Sequence, residues 1–301
     1  MPQPRPLPTD FAAAYRERMA ELGFSEKPAA EWDDKAPSFS AKALQPSPYA
    51  DAFIARMQLH PGDTLLDVGC GPGTLALRFA PKVRHLYGLD YSSGMLRCLE
   101  SNAQAASLAN ITPIHLSKED SWHNVPVCDI VVSSRSGLDR DLAALFAKLS
   151  AHARRSVYFT ILADGHFNPP QISRLLGQDR SPYPGYIYAL NILYQMGYDP
   201  TLSYITTPGR LADCTQLPDF LQRMAAAYGT LTPEHTRLLT QFFHRHHSQF
   251  AQAPFAMKWA LLSWDTEAAA YSGLNLNQDK AASRRQYTRY GKARQRRTGF
   301  C

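Results

Sequence analysis

Short apolar runs alternate with helical periods along most of the chain. Leu65-Leu66-Asp67-Val68 is nearly all apolar and stops at Gly69, which reads as a buried strand. Past three glycines, Thr74 to Ala80 reads as a helix start. His85–Asp90, Ile111–Leu116, Val127–Ser133, Ser156–Leu162, Leu202–Thr206 and Met257–Trp264 predict further strands. Helices are predicted from Asp10 to Leu22, from Ser47-Pro48 to about Met57, and from Ser92 or Ser93 to Ala105. Others are predicted over Asp139–Ala151, Pro169–Leu176, from the Ser181–Tyr188 stretch to Met196, Leu217–Tyr228 and Pro233–Gln249. Strands alternating with helices predict an α/β protein. In open sheets of that class, ligands lie at the carboxyl ends of the strands.

The glycine loop sits at such an end. Glycines at 69, 71 and 73 leave the backbone bare, so that a ligand can lie against it. A dinucleotide fingerprint, G-x-G-x-x-G, would need glycine at 74, where the chain has Thr74. Asp90 ends the next strand 17 residues after Gly73, near the offset at which a carboxylate takes both ribose hydroxyls.

The order Asp67-x-Gly69-x-Gly71-x-Gly73 resembles motif I of the class I S-adenosylmethionine (SAM) dependent methyltransferases. Asp90-Tyr91-Ser92-Ser93-Gly94-Met95-Leu96 is similar to that family's acidic loop, D-x-S-x-x-M-L. Trp32-Asp33-Asp34-Lys35-Ala36-Pro37-Ser38-Phe39 resembles the W-D-x-x-A-x-x-F segment that closes over the cofactor; a loop with a packed Trp is the plainer reading. The resemblance implies a Rossmann-like, doubly wound, seven-stranded and mainly parallel sheet, with a C-terminal antiparallel hairpin and added helices. It implies SAM as cofactor and S-adenosylhomocysteine as product. Asp67, Gly69, Cys70, Gly71, Gly73, Asp90, Tyr91 and Met95 would hold the cofactor, with Trp32 as lid. Asp120 would take the adenine amine and Ser121 and Trp122 would flank the ring, although Glu119 stands where the family usually has glycine. Ser133 would border the methyl group.

The substrate side is less marked. Ser133-Ser134-Arg135-Ser136 replaces the N/D-P-P-Y/F motif of enzymes that methylate amide or base nitrogens, which disfavours that chemistry. Arg135 either binds an acidic substrate group or pairs with Asp139 or Asp141, and the pairing is the simpler expectation. His166 is the only histidine near the predicted chemistry; a solvated loop position is its simpler reading. Tyr183 and Tyr186, in a Pro/Gly turn, are candidates for a substrate cleft. His244, His246 and His247 lack a carboxylate or cysteine to complete a ligand set, so no metal is expected.

Composition limits the remaining choices. Of 301 residues 45% are hydrophobic, enough for a core, and no apolar run reaches the roughly 18 residues that a membrane span needs. The Pro-rich start, residues 1–8, is expected to be loose and carries no apolar signal core. Five scattered cysteines with no C-x-x-C pair suggest a reduced, cytoplasmic setting. The net charge of +6 is concentrated at one end: residues 280–301 hold eight basic residues and no acidic ones, leaving the rest near −2. Arginines interleaved with Tyr287 and Tyr290 suggest nucleic acid as a partner, although a solubilising tail is the simpler reading. The expected layout is an N-terminal helix and lid over 1–46, the catalytic domain over 47–265 with helical insertions about 166–185 and 211–252, and a disordered basic tail over 266–301. A small-molecule acceptor is the leading expectation. The alternatives are RNA or protein methylation using the tail, or SAM binding without catalysis. Nothing in the sequence fixes the oligomeric state.

Overall fold

The structure, a computed structural model, describes residues 2–178 and 182–266. The basic tail lies outside the described residues, as does Ser181.

Seven strands form one sheet: β1 (Thr64–Val68), β2 (His85–Asp90), β3 (Ile111–His115), β4 (Cys128–Ser133), β5 (Ala153–Leu162), β6 (Thr201–Thr207) and β7 (Met257–Asp265). Their order is β3-β2-β1-β4-β5-β7-β6, with β1 to β5 parallel and β7 antiparallel to both β5 and β6. The order reverses between β1 and β4, which puts the glycine loop at the switch point. The Rossmann-like sheet with its antiparallel hairpin is therefore present as expected.

Both faces of the sheet are covered, so its central strands read as mostly apolar runs. Cys128, Val131, Val157 and Phe159 enter one core, with Tyr15 of α1 (Phe11–Glu21), Phe146 of α6 (Leu142–Ala151) and Ile192 of α8 (Tyr186–Gln195). Ile130, Val132, Tyr158 and Leu162 enter the other, with Phe53 of α3 (Pro48–Ile54), Phe79 of α4 (Ala76–Phe79) and Leu99 of α5 (Ser93–Ala105). A third cluster, around Phe220, Phe243 and Phe250, joins α7 (Pro170–Leu175), α9 (Leu217–Tyr228) and α10 (Pro233–His246). α9 and α10 are inserted between β6 and β7. Among the described residues no helix is long and apolar enough to cross a membrane.

Two expectations change. Residues 29–43 are not a loop but helix α2 (Ala29–Ala43), with Pro37 inside it. Trp32, Ala36, Phe39 and Ala43 do recur at helical spacing, and the prolines obscured it. The start of the chain is anchored rather than loose. Arg5 donates to both oxygens of Asp199 at 2.6 and 3.0 Å and lies over the Tyr194 ring, and its N–H donates to the Gln195 carbonyl.

Candidate active site

The loop after β1 is built on left-handed glycines. Gly69, Gly71 and Gly73 have φ of 73°, 54° and 95°. A side chain at Gly69 would meet Ser136 Cβ at 2.5 Å, and one at Gly73 would meet Leu99 Cδ1 at 2.6 Å. Gly71 differs, because its nearest neighbour is Met95 Sδ at 4.0 Å. Two glycines thus let the loop pack on β4's exit and on α5, and the third leaves an open surface. The loop is tied by Gly69 and Cys70 N–H groups donating to the Leu89 carbonyl, and by Asn102 Nδ2 donating to the Pro72 carbonyl.

Two carboxylates face this surface with different support. Asp90 Oδ2 accepts from Gly71 N–H and Oδ1 from Ser92 N–H, both at 2.9 Å. Burial raises its pKa, and those amides oppose the rise. Asp67, 2% exposed, accepts no hydrogen bond and pairs with no cation among the described residues. Burial first, and then the Asp90 charge, push its pKa up to about 7. An unneutralised buried carboxylate beside an open peptide bend favours a ligand with a positive group and hydroxyls.

The loop after β3 departs from expectation. Asp120 is exposed, and its carboxylate accepts from Ser117 N–H at 2.8 Å, locking its own turn. Ser121 is exposed beside it. Trp122 does not flank the cleft: it is buried, donates to the Ser117 carbonyl and packs edge-on to His152. Its apolar ring belongs to the core under α6. Lys118, which the sequence did not mark, closes this wall. It is 9% exposed and donates to the carbonyls of Ser136 and Leu138, and it pairs with Glu26 at 3.0 Å and Asp139 at 3.3 Å.

Helix α2 is latched on the same side. Asp33 Oδ1 accepts from Ser92 Oγ at 2.6 Å and from Gly94 N–H at 2.7 Å, and Gly94 has no side chain to hold α2 away. Trp32 stacks edge-on to Phe39 under Lys35. Tyr91 donates to the Lys27 carbonyl, and burial raises its pKa to about 12. The hydrogen bond from Ser92 holds the Asp33 carboxyl below its usual range. Its contribution is therefore present above about pH 4 and is lost as pH falls through the lowered value. Hydrogen exchange should show α2 amides protected at pH 7 and opened by Asp33→Ala; unchanged protection would remove the latch.

At the reactive edge, Ser133 is fully buried, and its hydroxyl meets Ser136 Oγ at 3.0 Å instead of facing the cleft. Its role is to align Ser136, which donates to the Val68 carbonyl. Arg135 pairs with neither expected acid: Asp139 holds Lys118, and Asp141 caps α6 and meets Arg16. Tyr183 packs against Phe24 and Phe167 beyond β5. Tyr186 instead meets Tyr204 of β6, away from that group. His166 is half-buried in its loop, its N–H donating to Asp164. A groove of about 470 Å³ lies at the amino ends of the strands, against Thr64, His85 and Arg154, at the opposite end of the sheet from the carboxylates.

Sheet order and glycine bend are those of an open α/β fold, a class whose ligands lie at the switch point. A family profile described as a methyltransferase domain matches residues 65–156. An uncharacterized protein of Haemophilus influenzae is 32% identical over 262 residues, covering 86% of this chain and 97% of that one. A 2-phytyl-1,4-naphtoquinone methyltransferase of Trichormus variabilis is 30% identical over 106 residues, covering 32% of this chain and 46% of that relative, so the match spans under half of its length. The fold is similar to that of coclaurine N-methyltransferase bound to N-methylheliamine and S-adenosylhomocysteine (TM-score 0.52, 14% identity, 85% of this chain and 94% of that one). The chain belongs to the class I SAM-dependent methyltransferases. It is an enzyme whose cofactor is SAM, and the unneutralised Asp67 and the open Gly71 fit that cofactor's positive charge and extended shape.

Proposed function

We propose that the chain methylates a small-molecule acceptor, with SAM held by Asp67, Gly69, Cys70, Gly71, Gly73, Asp90, Tyr91 and Met95. The observation that carries this reading is the pairing of a cationless buried acid with an open glycine bend. SAM supplies an already activated methyl on a sulfonium, transferred in line with a neutral thioether leaving. The protein's task is then positioning. Asp67 would face the positive methionine end, and Asp90, fixed by two amides, would accept from the ribose hydroxyls. Asp120 and Ser121 remain candidates for the adenine side through atoms left free at the exposed turn. A small acceptor suits the aromatic cover of Phe24, Tyr183 and Phe167, and the near-neutral body.

Asp90→Ala should weaken SAM binding by about 1–3 kcal/mol through lost charge-assisted hydrogen bonds. Titrations with SAM, S-adenosylhomocysteine and NAD would check this, and undiminished SAM affinity would remove Asp90 from the site. An RNA acceptor engaged by residues 280–301 is the second reading, favoured by their interleaved arginines and tyrosines. Deleting those residues should then abolish RNA binding and spare SAM binding; for a small acceptor the deletion leaves turnover unchanged.

A further inference from the structure

Arg135 stands two residues beyond the end of β4 with φ of 57°, a left-handed conformation that a side chain other than glycine seldom takes. Such backbone persists where its surroundings over-determine it. Its N–H donates to Thr160 Oγ1 at 2.9 Å, and its guanidinium carbon lies 4.4 Å from the centroid of the Tyr49 ring. The Tyr49 hydroxyl is 2.7 Å from Ser134 Oγ and 3.0 Å from Thr160 Oγ1. The hydroxyls hold the Arg135 backbone and the Tyr49 ring, and the ring lies against the guanidinium, which among the described residues donates no hydrogen bond and meets no carboxylate. The residue is exposed at the edge where the acceptor must approach.

Arg210 repeats the arrangement on the other side of β5's exit. It lies three residues beyond β6, whose Thr207 pairs with Met257, and its guanidinium carbon is 4.7 Å from the Phe167 ring centroid. It too lacks an acidic partner among the described residues. β4 is parallel to β5, and β6 runs the same way because β7 is antiparallel to both, so Arg135 and Arg210 both follow strand ends at the carboxyl edge of the sheet. Asp67 and Asp90, which form no ion pair among the described residues, stand at β1 and β2, whereas Arg135 and Arg210 stand beyond β4 and β6, with the exposed Asp164 after β5 between them.

We infer that the methyl acceptor carries an anionic group, a carboxylate or a terminal phosphate, which Arg135 binds as a two-pronged donor while Arg210 supplies the second positive charge. This rests on the methyl-transfer reading above. A guanidinium suits either anion because its parallel N–H groups match two oxygens. Stacking on Tyr49 orients the fork before the ligand arrives, so less freedom is lost on binding.

The test uses the full chain saturated with S-adenosylhomocysteine and titrated at low salt with sodium benzoate and with inorganic phosphate. Arg135→Gly is the informative variant, because glycine accepts a φ of 57° without strain and folding is not at risk. At least one anion should saturate, Arg135→Gly should bind it at least tenfold more weakly, and its affinity for S-adenosylhomocysteine should match the wild type. Arg210→Ala should weaken the same anion by a smaller factor. Preference for benzoate identifies a carboxylate acceptor, and preference for phosphate a phosphorylated one. Saturation by neither anion, or equal binding by Arg135→Gly, would overturn the inference. A wild-type chain that fails to bind S-adenosylhomocysteine would break the cofactor reading first, and this inference with it.

Discussion

Lys118→Ala is expected to lower the stability of the chain by about 3–5 kcal/mol, the usual cost of removing one partner from a buried ion pair. The ammonium is the shared partner of Glu26 and Asp139, whose side chains are 18% and 11% exposed. It also satisfies the carbonyls of Ser136 and Leu138 in the loop that leads from β4 to α6. Truncation would leave two acids facing each other and two carbonyls without their donor. Urea unfolding at pH 7 measures the loss. Combining Lys118→Met with Glu26→Gln and Asp139→Asn should recover most of it, since it removes the stranded charges along with the cation. A loss under 1 kcal/mol for the single variant would mean that water already screens the cluster.

Asp67→Asn should do the opposite to the ligand-free protein. The folded carboxyl titrates at about 7, whereas in an unfolded chain it titrates at about 4. Between those values the folded state holds a proton that the unfolded state has released, so stability falls as pH rises from about 4 to about 7. Three pK units correspond to at most about 4 kcal/mol. The amide removes that loss. The variant should therefore be more stable than wild type at pH 8 by up to about 4 kcal/mol, with little difference at pH 4. It should also bind SAM more weakly, since a neutral amide attracts a cation less than a carboxylate does. Urea midpoints at the two pH values check the first part. An equal difference at both would mean that Asp67 is already neutralised.

The sheet was legible because its signals are local. Leu65–Val68 and the buried strand β4 are mostly apolar runs, broken by Asp67 and Asp129, and the loop glycines are required by backbone angles that other residues resist. Residues 217–228 were readable for a similar reason, with a periodic apolar face behind a proline at the first turn. Contacts made across long sequence separations were not legible. Nothing near Lys118 in the sequence announces that Glu26, 92 positions earlier, and Asp139 will meet it. Tyr49 gave no sign that it would carry Arg135, and the Asp33 latch depends on Gly94 in a different helix. Trp122 misled because position in a resembling motif says which residue follows the acid, not which way a large ring turns when a core lies beneath it. Ser133 misled in the same way: a strand end near the chemistry can still point inward.

The measurement closest to the central claim is calorimetric titration of SAM at pH 6 in two buffers of different ionisation heat. Asp67 should go from largely protonated to ionised as the positive ligand arrives, so the wild type should bind with release of protons to the buffer. Asp67→Asn should bind more weakly with that release lost, and Asp90→Ala more weakly with the release reduced but present, since burial is the larger cause of the raised Asp67 pKa. Binding that ignores both substitutions and releases no protons would place the cofactor away from these two acids.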